Sequence, residues 1–126
     1  MTPQMGEVLV TMKVNGPSGS IELEGVLVDT GAIHSMIERS VAEQLGIRPE
    51  AKGLFGIIGG DVELPLATAI LEIQGRSFRV PVILGDQNLV GLTTLETLGF
   101  AVDPTTQSLV HRRMPLFPAQ AALAVA

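Results

Sequence analysis

The stretch "VLVDTGAIHS", residues 26–35, drives an apolar run straight into one acidic side chain, Asp29, and follows it with Thr30 and Gly31. Two readings compete for it. Asp close before Gly is a common way to end a strand, the carboxylate accepting a backbone N–H and the glycine taking a conformation other residues avoid. That suits a solvated turn, yet both flanks here are apolar: Gly25-Val26-Leu27-Val28 leads in and Ala32-Ile33 leads out. A lone carboxylate buried between such flanks is expensive. The alternative is a carboxylate kept for chemistry.

Upstream, residues 7–14 ("EVLVTMKV") and 20–28 ("SIELEGVLV") are rich in β-branched residues and flank "NGPSG", so they read as a hairpin whose second strand ends at Asp29. Downstream, "MIERSVAEQLG" places Ile37, Val41 and Leu45 four apart, which predicts a short helix stopped by Gly46. The segment "GLFGIIGGDVELPL" brings two apolar pieces together at Gly59-Gly60, a hairpin tip that needs positive φ. "ATAILEIQGRSFRVPVIL" gives two strands around Gln74-Gly75-Arg76, with Pro81 near an edge or bulge. In "NLVGLTTLETLGF", Thr93 and Glu96 form a T-x-x-E capping box and Gly99 ends a second helix. "VDPTTQ" is a turn and "SLVHRR" a last strand; His111, Arg112 and Arg113 read as a solvated basic face.

One echo runs through the chain. Glu43-Gln44-Leu45-Gly46-Ile47 and Glu96-Thr97-Leu98-Gly99-Phe100 share the pattern E-x-L-G-apolar. Each follows an apolar strand that reaches a tight turn, "VLVDTG" in the first case and "NLVGLT" in the second. A duplicated strand–turn–helix unit is the simplest account.

Composition narrows the chemistry. The 126 residues suit one domain, and 46% apolar with 17% charged residues is globular composition. With four Phe, no Tyr, no Trp and a net charge of −5, a base-stacking platform or polyanion-binding face is not expected, so nucleic acid is not an expected partner. No cysteine is present, which removes thiolate catalysis and cysteine–zinc sites. His34 and His111 lie far apart in sequence without a second ligand at metal-site spacing, and no metal or cofactor is expected. The first ten residues carry no basic segment followed by a long apolar run, and no stretch approaches transmembrane length. A cytoplasmic protein without membrane contact is the default expectation.

Asp29-Thr30-Gly31-Ala32 after an apolar strand, the glycine-rich hairpin, and Leu89-Val90-Gly91 opening a short helix together resemble a retroviral-type (retropepsin-like) aspartic protease, as in its single-lobe bacterial members. The resemblance covers roughly residues 7–112. It implies an all-β fold: a closed antiparallel β-barrel of the acid-protease type with a flap hairpin and one or two short helices. The protease domain is expected over 1–113, followed by a Pro/Ala-rich tail at 114–126.

Aspartic proteolysis needs two carboxyls sharing one proton, because two such charges side by side cannot both ionise. This chain holds a single D-T-G; Asp61, Asp86 and Asp103 sit in "GGDV", "GDQN" and "VDPT". A homodimer contributing Asp29 from each protomer is therefore the chemically complete arrangement. The resemblance makes Asp29 the acid/base, has Thr30 brace the loop across the two-fold, and gives Gly31 a close approach to the dyad. It places Ala32, Ile33 and His34 against a peptide or protein substrate, with Ile57, Ile58, Gly59 and Gly60 as the flap tip and the stretch from Val82 to Leu84 on the pocket wall. "SLVHRR" and the N-terminal strand become candidates for a terminal interface sheet. Where the retroviral pattern carries recognition charges, this chain has Ile33, His34 and Leu92; His34 reads first as a surface histidine without a role, the alternative being a hydrogen bond to substrate. The activity implied is an aspartic endopeptidase; the alternative is a non-catalytic peptide-binding or dimerisation module on the same barrel.

Overall fold

The computed structural model describes residues 7–112; Arg113 and the expected tail at 114–126 lie outside the described residues. In chain order the elements are β1 (Val8–Gly16), β2 (Gly19–Val28), β3 (Ser35–Glu38), α1 (Arg39–Gln44), β4 (Ala51–Ile57) and β5 (Gly60–Ile73). After these come β6 (Arg76–Gly85), β7 (Leu89–Val90), α2 (Leu92–Leu98), β8 (Phe100–Asp103) and β9 (Ser108–His111). The chain is mostly β with two short helices.

Seven strands form one sheet in the order β1-β2-β7-β3-β6-β5-β4, and β1 pairs again with β5 through Lys13, Val14 and Asn15. The pairings thus run round from β1 and return to it, while β4 extends from β5 as the outer arm of a hairpin. The β1–β2 and β5–β6 hairpins fall where expected. Gln74 (φ 50°) and Gly75 (φ 79°) both take left-handed conformations to turn β5 into β6. Pro81 is tolerated because β6 has no partner on its second side until β3 joins at Val82.

The sheet is mostly antiparallel, with two parallel pairings. β2 runs parallel to β7, with Leu27 opposite Leu89 and Val28 opposite Val90, and β3 runs parallel to β6. Parallel neighbours end at the same edge of the sheet, so the exits of β2 and β7, Asp29 and Gly91, emerge side by side. The first helix is also shorter than its periodicity suggests. Met36 to Glu38 belong to β3, clamped between β6 and β7, and α1 begins only at Arg39. Long-range pairing outweighs a local helical stripe there.

The core is aliphatic: Met12, Val14, Ile37, Leu71, Val82 and Val90 are fully buried, and Leu95 of α2 joins them with Phe100. At roughly 1.5–3 kcal/mol for each such side chain, this packing fixes the strands from which the exposed loop at Asp29 projects. The echo survives in three dimensions, because α1 and α2 both end at a left-handed glycine, Gly46 (φ 69°) and Gly99 (φ 78°). Arg76 closes the second helix: its Nη1 donates to the carbonyls of Leu98 (3.0 Å) and Gly99 (3.2 Å) while the guanidinium lies 5.3 Å over the Phe100 ring. β8 and β9 form a separate hairpin in which Asp103 Oδ1 accepts the Thr105 N–H at 2.9 Å. His111 is exposed, as its place in a solvated face requires, and its Nδ1 lies 3.2 Å from Arg76 Nη2. Among the described residues no helix is long and apolar enough to cross a membrane.

Candidate active site

The loop leaving β2 is tied down one hydrogen bond at a time. Asp29 N–H donates to the carbonyl of Val90 in β7 (2.9 Å), and Asp29 O accepts from Ala32 N (3.1 Å). Its carboxylate Oδ1 accepts the Gly31 N–H at 2.9 Å. The side chain is therefore a turn-former and is still available for chemistry, since no hydrogen bond engages Oδ2 among the described residues. The two readings of D-T-G are compatible. The cost expected for burying Asp29 does not arise in one chain: Asp29, Thr30 and Gly31 are all exposed.

A second layer holds the loop from behind. Leu92 N donates to Ala32 O (2.7 Å) and Thr93 N to Ile33 O (2.9 Å), so the first turn of α2 is satisfied by the D-T-G loop itself. This is why the expected Thr93/Glu96 capping box is absent: Gly91 is the N-cap and no side chain caps the helix. Gly91 N donates instead to Ser35 Oγ (2.9 Å), which lies 2.6 Å from Thr94 Oγ1. Ser35 and Thr94 are the two buried polar side chains among the described residues. Gly91 has an ordinary φ of −92°, yet a Cβ added there would come within 2.5 Å of the His34 carbonyl oxygen. Close backbone approach requires glycine here, not an unusual dihedral. At the far end of β3, Glu38 N donates to Asn88 Oδ1 (2.9 Å) while Asn88 Nδ2 donates back to Glu38 Oε1 (2.8 Å).

A cleft of about 460 Å³ opens beside this loop, under the β4–β5 hairpin. Gly31, Ala32, Ile33, His34 and Ile57 line it, five of the residues picked out from sequence. Ile58, Gly59 and Gly60 form the hairpin tip beyond the cleft lining. Ile58 is fully exposed at 104%, and the two glycines take φ of 95° and 147°. Val82 and Leu84 are corrected: both point into the core, and Ile83 between them faces the cleft, because successive side chains on a strand point to opposite faces. His34 is not a free surface histidine. It is half-buried in the cleft wall, edge-on to Phe55 of β4 with ring centroids 6.4 Å apart. Phe55 itself was not singled out from sequence; the alternation Gly53–Phe55–Ile57 along one face of β4 was the available signal.

Thr30 faces a second hollow, apolar in most of its wall, bounded by Leu92, Leu95, Phe100 and Val102 with Glu96 and Arg112 at its edge. Among the described residues no three His, Cys, Asp or Glu side chains gather to hold a metal ion.

Residues 10–90 match a family model described as "Aspartyl protease". The match begins within β1 and runs through the Asp29 loop, the cleft and the hairpin to the end of β7. No curated protein matches the chain.

Proposed function

The chain belongs to the retropepsin-like aspartyl protease family, and from that premise we propose that it is an aspartic endopeptidase whose catalytic pair is Asp29 of one protomer and Asp29 of its partner. The observation that carries this reading is the state of the one D-T-G carboxylate. It is exposed, oriented through Oδ1 by the Gly31 amide, and set beside an open apolar cleft.

Asp29 alone offers half of the required chemistry. Across a two-fold axis the two carboxyls share one proton. The ionised member takes a proton from a water molecule, whose oxygen attacks the scissile carbonyl carbon. The protonated member gives its proton to the carbonyl oxygen. The resulting gem-diol collapses as a proton passes to the leaving amine, and the C–N bond breaks. Thr30, exposed beside Asp29, supplies a hydroxyl to brace the paired loops, and the apolar hollow next to it suits burial against a second copy. Gly31 keeps the floor of the dyad open.

The same reading makes the ring of strand pairings a closed barrel of the acid-protease type and the β4–β5 hairpin its flap. Ile57, Ile58, Gly59 and Gly60 then close over bound peptide and exclude water. Full exposure of an isoleucine in the single chain is what a flap tip awaiting substrate would show.

Hydrolysis of a mixed peptide library from pH 3 to 8, measured alongside sedimentation of the protein, tests the proposal. Cleavage by a dimer and its loss in Asp29→Asn are expected. A monomer whose cleavage is untouched by Asp29→Asn overturns it.

A further inference from the structure

The cleft beside Asp29 is walled by glycines and apolar side chains with one exception, His34. His34 Nδ1 is also the one buried side-chain polar atom without a hydrogen-bond partner among the described residues. A buried nitrogen left unbonded destabilises a free chain and calls for a physical account. Its position in the wall of a cleft points to a bond completed by a ligand.

The backbone around His34 cannot shift to satisfy Nδ1. The Ile33 carbonyl is held by Thr93 N–H, and the His34 carbonyl lies against Gly91, where not even a methyl group would fit. The imidazole is the part able to adjust. His34 lines the cleft while Nδ1 itself is covered, so a ligand in the cleft reaches that nitrogen only if the ring turns. The torsion about Cβ–Cγ is broad and nearly two-fold. A half-turn exchanges Nδ1 with Cδ2 and keeps the edge-on relation to Phe55.

We propose that His34 is the specificity-determining residue of this cleft and that it selects a substrate side chain ending in a carboxamide, glutamine above all. The inference rests on the cleft being the substrate site. An amide carries both donor and acceptor and so matches either imidazole tautomer. Its methylene stem packs on Ile33, Ile57 and Ile83, and it brings no net charge into apolar surroundings. Leucine fits the same walls but leaves Nδ1 unbonded. Glutamate and lysine introduce a charge that nothing else in the cleft wall meets.

The test reads binding, so it does not depend on hydrolysis. Fluorescein-labelled octapeptides of alanine and leucine, with Gln, Leu, Glu or Lys walked along the sequence, are titrated into the Asp29→Asn protein by anisotropy. At one position Gln is expected to bind about five- to tenfold tighter than Leu, with Glu and Lys weaker than Leu. His34→Leu should erase that preference. His34→Asn, whose two amide atoms take the places of Nδ1 and Cδ2, should keep it, and melting curves check that both variants fold. Equal binding of Gln and Leu at every position, no binding of any peptide, or a preference that survives His34→Leu overturns the inference. Wild-type hydrolysis is measured separately. A chain that binds glutamine selectively but never cleaves refutes the endopeptidase alone; one that cleaves yet binds Gln and Leu peptides alike refutes the specificity alone.

Discussion

Ser35 and Thr94 share a 2.6 Å hydroxyl contact inside the core, and Ser35 Oγ at the same time accepts the Gly91 N–H. Two hydroxyls are thereby buried at 0% and 1% exposure in otherwise aliphatic surroundings. They join the strand that follows the D-T-G loop to the helix that holds the loop's carbonyls. Ser35→Ala should cost about 1–3 kcal/mol by leaving the Gly91 N–H unpaired, which lowers Tm by about 4 °C per kcal/mol in a domain of this size. Thr94→Val should cost less, since Ser35 keeps one partner. Thermal and urea melts of both variants check the order; an unchanged Ser35→Ala melt would contradict it.

Gly91→Ala and Gly31→Ala should separate space from chemistry. At Gly91 an added methyl meets the His34 and Ser35 backbone, which cannot yield, so a loss of about 1–3 kcal/mol or more is expected. At Gly31 it meets only Asp29 Oδ1, at 3.2 Å. Stability there should hardly change, while peptide hydrolysis falls because the carboxyl is displaced. Equilibrium denaturation and kcat on a single peptide, measured for both variants, give the contrast directly.

Asp29→Asn should leave stability within about 0.5 kcal/mol, because the side chain is exposed, and lower kcat about 10²–10⁴-fold. Mixed dimers add a sharper reading. If each site needs Asp29 from both protomers, an equal mixture of wild-type and Asp29→Asn chains should show about half the activity of the wild-type chains alone. Activity equal to that of the wild-type chains alone, after subunit exchange is verified, would argue for a site complete within one chain.

Ile58→Ser should be silent in the melting curve of the free chain, since Ile58 is fully exposed. Under the flap reading it should raise KM several-fold by removing apolar cover from bound peptide, with a smaller effect on kcat. Steady-state kinetics on one peptide distinguish this from an ordinary exposed turn, for which neither constant moves.

Local chemistry made much of this fold readable in the sequence. Glycines at 46, 59, 60, 75 and 99 mark turns or helix ends because their φ values demand them, and the D-T-G stretch marked the loop. Longer-range determinants were hidden. Ile37 looked helical because Val41 and Leu45 follow it at helical spacing, but pairing with Leu84 of β6 decides its conformation. Thr93 and Glu96 matched a capping box, but the helix is already under way at Leu92 and the Thr93 amide that Glu96 would have capped is taken by the Ile33 carbonyl. Val82 and Leu84 carried the right character on the wrong face, since an apolar strand covered on both sides gives no alternation to read. Ser35 and Thr94 gave no signal, because a hydroxyl's partner 59 residues away leaves no local trace.

The parallel register that sets Val28 beside Val90 also sets Asp29 beside Gly91. An engineer seeking a one-chain enzyme would look to that neighbour for a second carboxylate. The position is closed: the His34 backbone occupies the volume any side chain at 91 would need. The echo within the chain therefore cannot be developed into a two-carboxylate site by substitution at position 91. Under the paired-Asp29 reading, a single-chain form would be built by joining two whole copies in tandem.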